Sequence, residues 1–207
     1  MTPPLALVHL PRSASQSVHA AFTQCGIEVR LVRTPDEVIN AAHDGALVRA
    51  ILRHPVDRLE SYFNLRLRSG RPLQPKTWSD REASSFAVIR SFAALCDALV
   101  GDDVWLQSVA ERMLVTLSKG HGNLLDLHRQ CPASVLRVAG TFDALPAAVE
   151  SIAADLGCAA PTLSDDPAVI DATPPSLRST PSEAGRAAIR QVMRAEIFVY
   201  QDLLVTN

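Results

Sequence analysis

The chain has 207 residues, 47% hydrophobic and 20% charged, the proportions of a globular protein large enough to bury one sizeable core. Its formal charge of -2 gives no global field to recruit nucleic acid or an anionic membrane. No apolar run is long enough to span a bilayer, no basic region precedes the short N-terminal apolar run, and Cys25, Cys96, Cys131 and Cys158 stand singly; the expectation is a protein without membrane span or secretory signal, reduced and cytoplasmic.

Residues 5–10 form a short apolar run between proline-containing segments, which predicts a buried strand. Residues 15–25 have helical spacing, with Val18, Ala21, Phe22 and Cys25 on one face and Gly26 as the stop. Residues 27–32 are a second strand candidate. Thr34-Pro35-Asp36-Glu37 opens a helix with a cap, a proline at the first position and acids near the positive end. ALVRAIL (46–52) predicts a third strand, and His54-Pro55 opens a helix running to residue 68. Residues 69–80 read as a loop, 81–100 and 103–118 as two helices, 120–123 as a break and 134–138 as a strand. Residues 143–156 carry Leu145, Val149, Ile152 and Leu156 on one helical stripe. Residues 158–181 hold five prolines and read as a long irregular connection before a closing helix at 182–204. This alternation implies an α/β fold, a parallel sheet with helices on both faces, in which ligands sit at the carboxyl ends of strands.

Two chemically suggestive segments each follow a predicted strand and so share that edge. The first is Pro11-Arg12-Ser13-Ala14-Ser15-Gln16-Ser17. A turn into a helix N-terminus exposes unpaired N–H groups, and the aligned dipoles attract anions. The serines and Gln16 add donors and Arg12 adds a fixed charge. The segment reads either as a phosphate cradle or as an ordinary strand–helix turn with serine caps. It lacks the glycines and lysine of a Walker loop, and no dinucleotide fingerprint occurs. The second segment is RHPVDRLESY (53–62): Arg53 closes a strand, Pro55 fits a first helical turn, and Arg58, Ser61, Tyr62 and Leu65 fall on adjacent faces. Arg53 and Ser61 suit a second anion; a surface helix carrying Asp57, Arg58 and Glu60 is the alternative.

Elsewhere, Phe63, Trp78, Phe92 and Trp105 are read as core, with stacking on a base as the alternative. Arg66, Arg68 and Arg71 are read as a solvated basic face, with recognition of an acidic glycan as the alternative. His121, His128 and Cys131 have no metal-ligand spacing and are read as unrelated positions. All basic residues except Lys76 and Lys119 are arginine, a bias of high-GC bacterial coding.

Together the segments resemble a known family. PRSASQS resembles the 5′-phosphosulfate loop of sulfotransferases that use 3′-phosphoadenosine 5′-phosphosulfate (PAPS), P-[KR]-[ST]-[GA]-[GST]-[TQ]-S, often preceded by His-Leu as in His9-Leu10 here. RHPVDRLESY resembles the family's 3′-phosphate motif, R-x-P-x-x-R-x-x-S-x-Y. VAGTFDALPAAVESIAADLG (138–157) and RAEIFVYQDLL (194–204) are similar to the family's late strand–turn–helix and closing helix. Carbohydrate-type and related bacterial sulfotransferases are nearest in pattern. The middle, residues 70–130, matches nothing in the family and would line the acceptor pocket.

The resemblance implies one P-loop-like, three-layer sulfotransferase domain over residues 1–207, with PAPS as donor and its desulfated product, PAP, left behind. The backbone of Ser13, Ala14, Ser15, Gln16 and Ser17 would hold the 5′-phosphosulfate, with the Ser17 hydroxyl on a phosphate oxygen. Arg12, where the family commonly has lysine, would neutralise the leaving oxygen. Arg53 and Ser61 would hold the 3′-phosphate. A hydroxyl or amine of a small molecule, glycan or lipid would be the acceptor. His43 is named as the general base, with a surface helix-end residue as the alternative. No metal is required, since arginine and helix dipoles supply positive charge. A kinase-like nucleotide enzyme of similar fold and a non-catalytic nucleotide-binding relative remain the alternatives.

Overall fold

Alternate residues of the LALV run face opposite sides of a sheet, and all four are at most 1% exposed. A strand covered on both faces needs such an unbroken apolar run, which is the signature of a parallel sheet between helical layers. The computed structural model describes residues 2–71, 75–118, 124–164 and 173–206. They group into two compact units, one of residues 1–54, 122–170 and 195–207, the other of residues 55–121 and 171–194.

The first unit holds β1 (Leu5–Val8), β2 (Val29–Val32), β3 (Leu47–Leu52) and β4 (Arg137–Thr141), all parallel in the order β2-β1-β3-β4. Its helices are α1 (Ser15–Gln24), α2 (Pro35–His43), α7 (Leu124–Gln130), α8 (Leu145–Leu156) and α10 (Arg194–Thr206). Leu5 and Leu7 pack with Val18 and Phe22 of α1 and Val149 and Ile152 of α8. Ala6 and Val8 face the other way, against Val38 of α2, Leu127 of α7 and Val199 and Leu203 of α10. Burying each large apolar side chain contributes about 1.5–3 kcal/mol, so the two layers hold the sheet from both sides.

Two features of this unit break the apolar pattern. Arg49 of β3 lies 8% exposed on the α8 side. Its Nε and Nη2 donate to Asp155 Oδ2 at 2.8 and 2.6 Å and its Nη1 to the Val48 carbonyl at 2.7 Å, so the buried charge is paired. In β4, the register slips by one residue between Ala50 and Ile51 of β3, a bulge that leaves Ala139 without a ladder partner.

The strand expected at 134–138 starts later because the amides of Val135 and Leu136 both close a turn onto the Pro132 carbonyl. The closing helix is two helices. Met193 ends α9 (Glu183–Val192), with its amide on Ile189, and α10 begins at Arg194.

The second unit contains α3 (Pro55–Leu67), α4 (Asp80–Val88), α5 (Phe92–Ala98), α6 (Val104–Ser118) and α9. Phe63 meets Phe86 and Phe92 edge-on at centroid separations of 5.5 and 5.9 Å. The single helix expected over 81–100 is broken: Ile89 is extended, and the Ser91 hydroxyl accepts from the Ala94 amide to start α5. Arg66 is not part of a solvated face. It is buried, with Nε and Nη2 on the two oxygens of Glu82 at 2.7 and 2.9 Å. Trp105 is not core but 60% exposed, because a first-turn side chain leans past the end of its helix. Trp78 lies at the margin of the core, stacked obliquely on Phe86 and donating from Nε1 to the Arg66 carbonyl at 2.6 Å.

Candidate functional site

In a parallel sheet all strands deliver their following residues to one edge. β1 and β3 are paired in step, Leu5 with Leu47 through Val8 with Ala50. β2 lies on one side of β1 and β3 on the other. The chain therefore reverses its travel across the sheet here, and the crevice at such a switch point is where open α/β sheets bind ligands. Both suggestive segments begin at this crevice.

The connection after β1 is strained where it turns. Arg12 and Ala14 have φ of 68° and 65°, the left-handed region that L-residues avoid. Between them Ser13 is fully buried, with its amide and hydroxyl both on the Leu10 carbonyl. Left-handed residues in such a turn gather successive N–H groups into an anion-binding concavity. Ala14 is the N-cap of α1 and supplies no side-chain cap, and the first helical bond runs from the Val18 amide to the Ala14 carbonyl. The amides of Ser15, Gln16 and Ser17 are thus left to an outside acceptor, as in any first helical turn. α1 has no acidic side chain in its own first turn.

Arg53 comes from the next connection. Its Nη1 donates to the Arg12 carbonyl at 3.2 Å, and its Cζ lies 4.1 Å above the Phe142 ring centroid, just beyond β4. The aromatic face and the carbonyl fix the guanidinium plane against the 12–17 turn. Phe142 was not legible as a site residue, because nothing near it in the chain marks it as a neighbour of Arg53. At the same edge, His9 Nδ1 and Ser15 Oγ are 2.7 Å apart, with Ser15 3% exposed. Burial, and after it the charge of Arg33, pushes the His9 imidazole below its usual value.

The remaining site expectations fare differently. Gln16 is exposed and Ser17 half-buried on α1. Ser61 is 3% exposed, two turns into α3, and belongs to the second compact unit. Counted from Ser61, the aromatic position of the motif falls on Phe63 rather than Tyr62. His43 ends α2, exposed, four residues before β3 begins, and so lies at the amino edge of the strands, a strand's length of about 13 Å from the rim that carries the 12–17 turn.

Among the described residues no group of three or more His, Cys, Asp or Glu side chains gathers as for a metal. His121 lies outside the described residues; His128 Nε2 pairs with Asp202 at 2.8 Å, and Cys131 is buried. No helix of the described residues is long and apolar enough to cross a membrane. In comparisons with known proteins, no protein-family model, no curated protein and no solved structure matches this chain.

Proposed function

We propose that this edge of the sheet binds the phosphosulfate end of PAPS and that the chain transfers the sulfuryl group to a hydroxyl or amine acceptor. The observation that carries the reading is the Arg53 guanidinium seated on the Arg12 carbonyl. It joins the beginnings of the two motifs, which a donor with phosphates at both ends requires. The left-handed pair Arg12 and Ala14 supports it too, since backbone strain persists where a bound group gives it a use.

Sulfuryl transfer breaks the S–O bond to the 5′-phosphate, forms an S–O or S–N bond to the acceptor, releases the acceptor's proton to solvent and leaves PAP. Negative charge grows on the oxygen that departs with the phosphate. The amides at the start of α1 and the Arg12 side chain would meet that charge, and positioning plus electrostatics would supply most of the acceleration. Arginine stays protonated, so Arg12 would stabilise the leaving group as a charge rather than as a proton donor. Arg53 would grip the 3′-phosphate through two N–H groups. Ser61 enters this reading only through the motif. Free cysteines suit a reducing, cytoplasmic setting.

Thermal unfolding in the presence of PAP, AMP and magnesium-ATP tests the proposal. A ligand at about a hundredfold its Kd stabilises the native state by about 2.7 kcal/mol. PAP is expected to raise Tm by several degrees and AMP by little. Equal shifts from PAP and AMP, or the largest from magnesium-ATP, would overturn the donor assignment.

A further inference from the structure

We infer that His9 is a positioning residue of the anion cradle, setting the Ser15 hydroxyl so that its proton is presented to the bound anion. The inference rests on the proposed reading that the 12–17 turn holds an anionic ester, but on no particular nucleotide.

Ser15 is the first residue of α1, so its hydroxyl shares the mouth of the helix with the amides left over there. A hydroxyl has one proton and two lone pairs. With His9 Nδ1 at 2.7 Å, two arrangements exist. If Nδ1 carries no proton, it accepts the Ser15 proton, and the hydroxyl turns lone pairs toward the cradle. If Nδ1 carries a proton, it donates to Oγ, and the Ser15 proton is released toward the anion. The second arrangement makes a line of donors, Nδ1–H to Oγ–H to anion, and an anion selects it.

Burial and the charge of Arg33 both oppose an added charge on His9 and favour the neutral ring. The neutral Nδ1–H tautomer and the imidazolium both make that donor line; the negative charge of a bound dianion favours the imidazolium and so draws a proton from solvent onto the ring. Anion binding is then linked to proton uptake and tightens as pH falls through the imidazole range. Other charged or titratable side chains on neighbouring elements are Arg12 in the same connection, His19 in α1, Arg33, Asp36 and Glu37 beyond β2, Arg53 and His54 beyond β3, Asp143 beyond β4 and Tyr200 of α10. Glu37 accepts from the Arg33 and Thr34 amides as part of the α2 capping box. His19 and His54 are the histidines on these elements and serve as controls.

Sulfate is the probe, because it stays a dianion across the range and adds no titration of its own. Its affinity for the whole chain is measured by calorimetry at intervals between about pH 5.5 and 8. The expected result is a rise of about tenfold toward the acid end, the change that one pKa unit of linkage produces. His9→Asn keeps an amide donor in place of Nδ1–H but cannot titrate; it is expected to bind sulfate with little pH dependence. His19→Asn and His54→Asn are expected to keep the slope. A flat wild-type profile, an unchanged slope in His9→Asn, loss of the slope in either control, or no sulfate binding at any pH overturns the inference. The nucleotide reading is scored separately, by the preference for PAP over AMP at a single pH. A sulfate slope without that preference sinks the donor assignment and leaves the role of His9 standing. PAP preference with a flat sulfate profile does the reverse.

Discussion

The Nη1 of Arg53 reaches the main-chain carbonyl of Arg12 across 3.2 Å, joining two connections that are 41 residues apart in the chain. One leaves β1 and the other leaves β3, neighbours in the sheet. A carbonyl on one side and the Phe142 ring on the other leave the guanidinium few orientations.

Arg53→Ala is therefore expected to weaken PAP binding by about 2 kcal/mol or more, roughly thirtyfold, the scale of a lost charge-assisted hydrogen bond. Arg53→Lys restores the charge but neither the planar fork nor the stacking on Phe142, and is expected to recover less than half of that loss. Titration calorimetry with PAP decides. Wild-type affinity in Arg53→Lys would show that a point charge suffices.

Ala14 occupies a left-handed conformation at φ 65° that glycine adopts without penalty. Ala14→Gly is expected to stabilise the fold by about 1 kcal/mol, or about 2–4 °C in Tm for a chain of this size. Ala14→Val, with its branched Cβ, is expected to shift Tm the other way. A lower Tm for the glycine variant would mean that the turn is not held in the left-handed form in solution.

Gly140 in β4 lies so close to α8 that a Cβ added there would stand 2.8 Å from the Cβ of Ala148. Gly140→Ala is expected to cost about 1–3 kcal/mol, the usual range for overpacking. Ala148→Gly opens the opposing surface, so the double variant should recover much of that cost. Urea unfolding of the four proteins gives the coupling energy directly, and simple additivity would contradict the contact.

The Glu82 carboxyl is held down to about 2, against a reference of 4.5, chiefly by its hydrogen bonds from Arg66 and then by those from Ser79. A folded value below the unfolded one stabilises at pH above the unfolded value, and that stability drains away as pH falls toward the folded value. Glu82→Gln is thus expected to cost on the order of 2–3 kcal/mol at neutral pH, with the gap to wild type closing between about pH 4.5 and 2. Denaturant midpoints at a series of pH values would show it; a gap that stays constant down to the acid end would separate the effect from the ionised pair.

Much of the scaffold was readable from local chemistry. The apolar run of β1, the capped opening of α2 at Thr34, and Pro55 in the first turn of α3 each lie within a few residues of the feature they create. The register of the two motifs with their strands was also readable, since a parallel sheet sends every strand end to one rim. Periodicity failed where a turn or cap a few residues away competed with it, or where a partner came from another helix. The turn onto Pro132 delays β4, and Ser91 and Met193 interrupt patterns that continue on either side. Arg66 looks like a solvent-facing cation in its own helix and is buried by a glutamate from the next one. Side-chain type and spacing marked which residues have the chemistry to suit an anion. Only the tertiary structure decided that Arg53 reaches Arg12, because that contact depends on β1 and β3 being neighbours and on how each connection turns, and strand order is not encoded within one turn of helix or one strand.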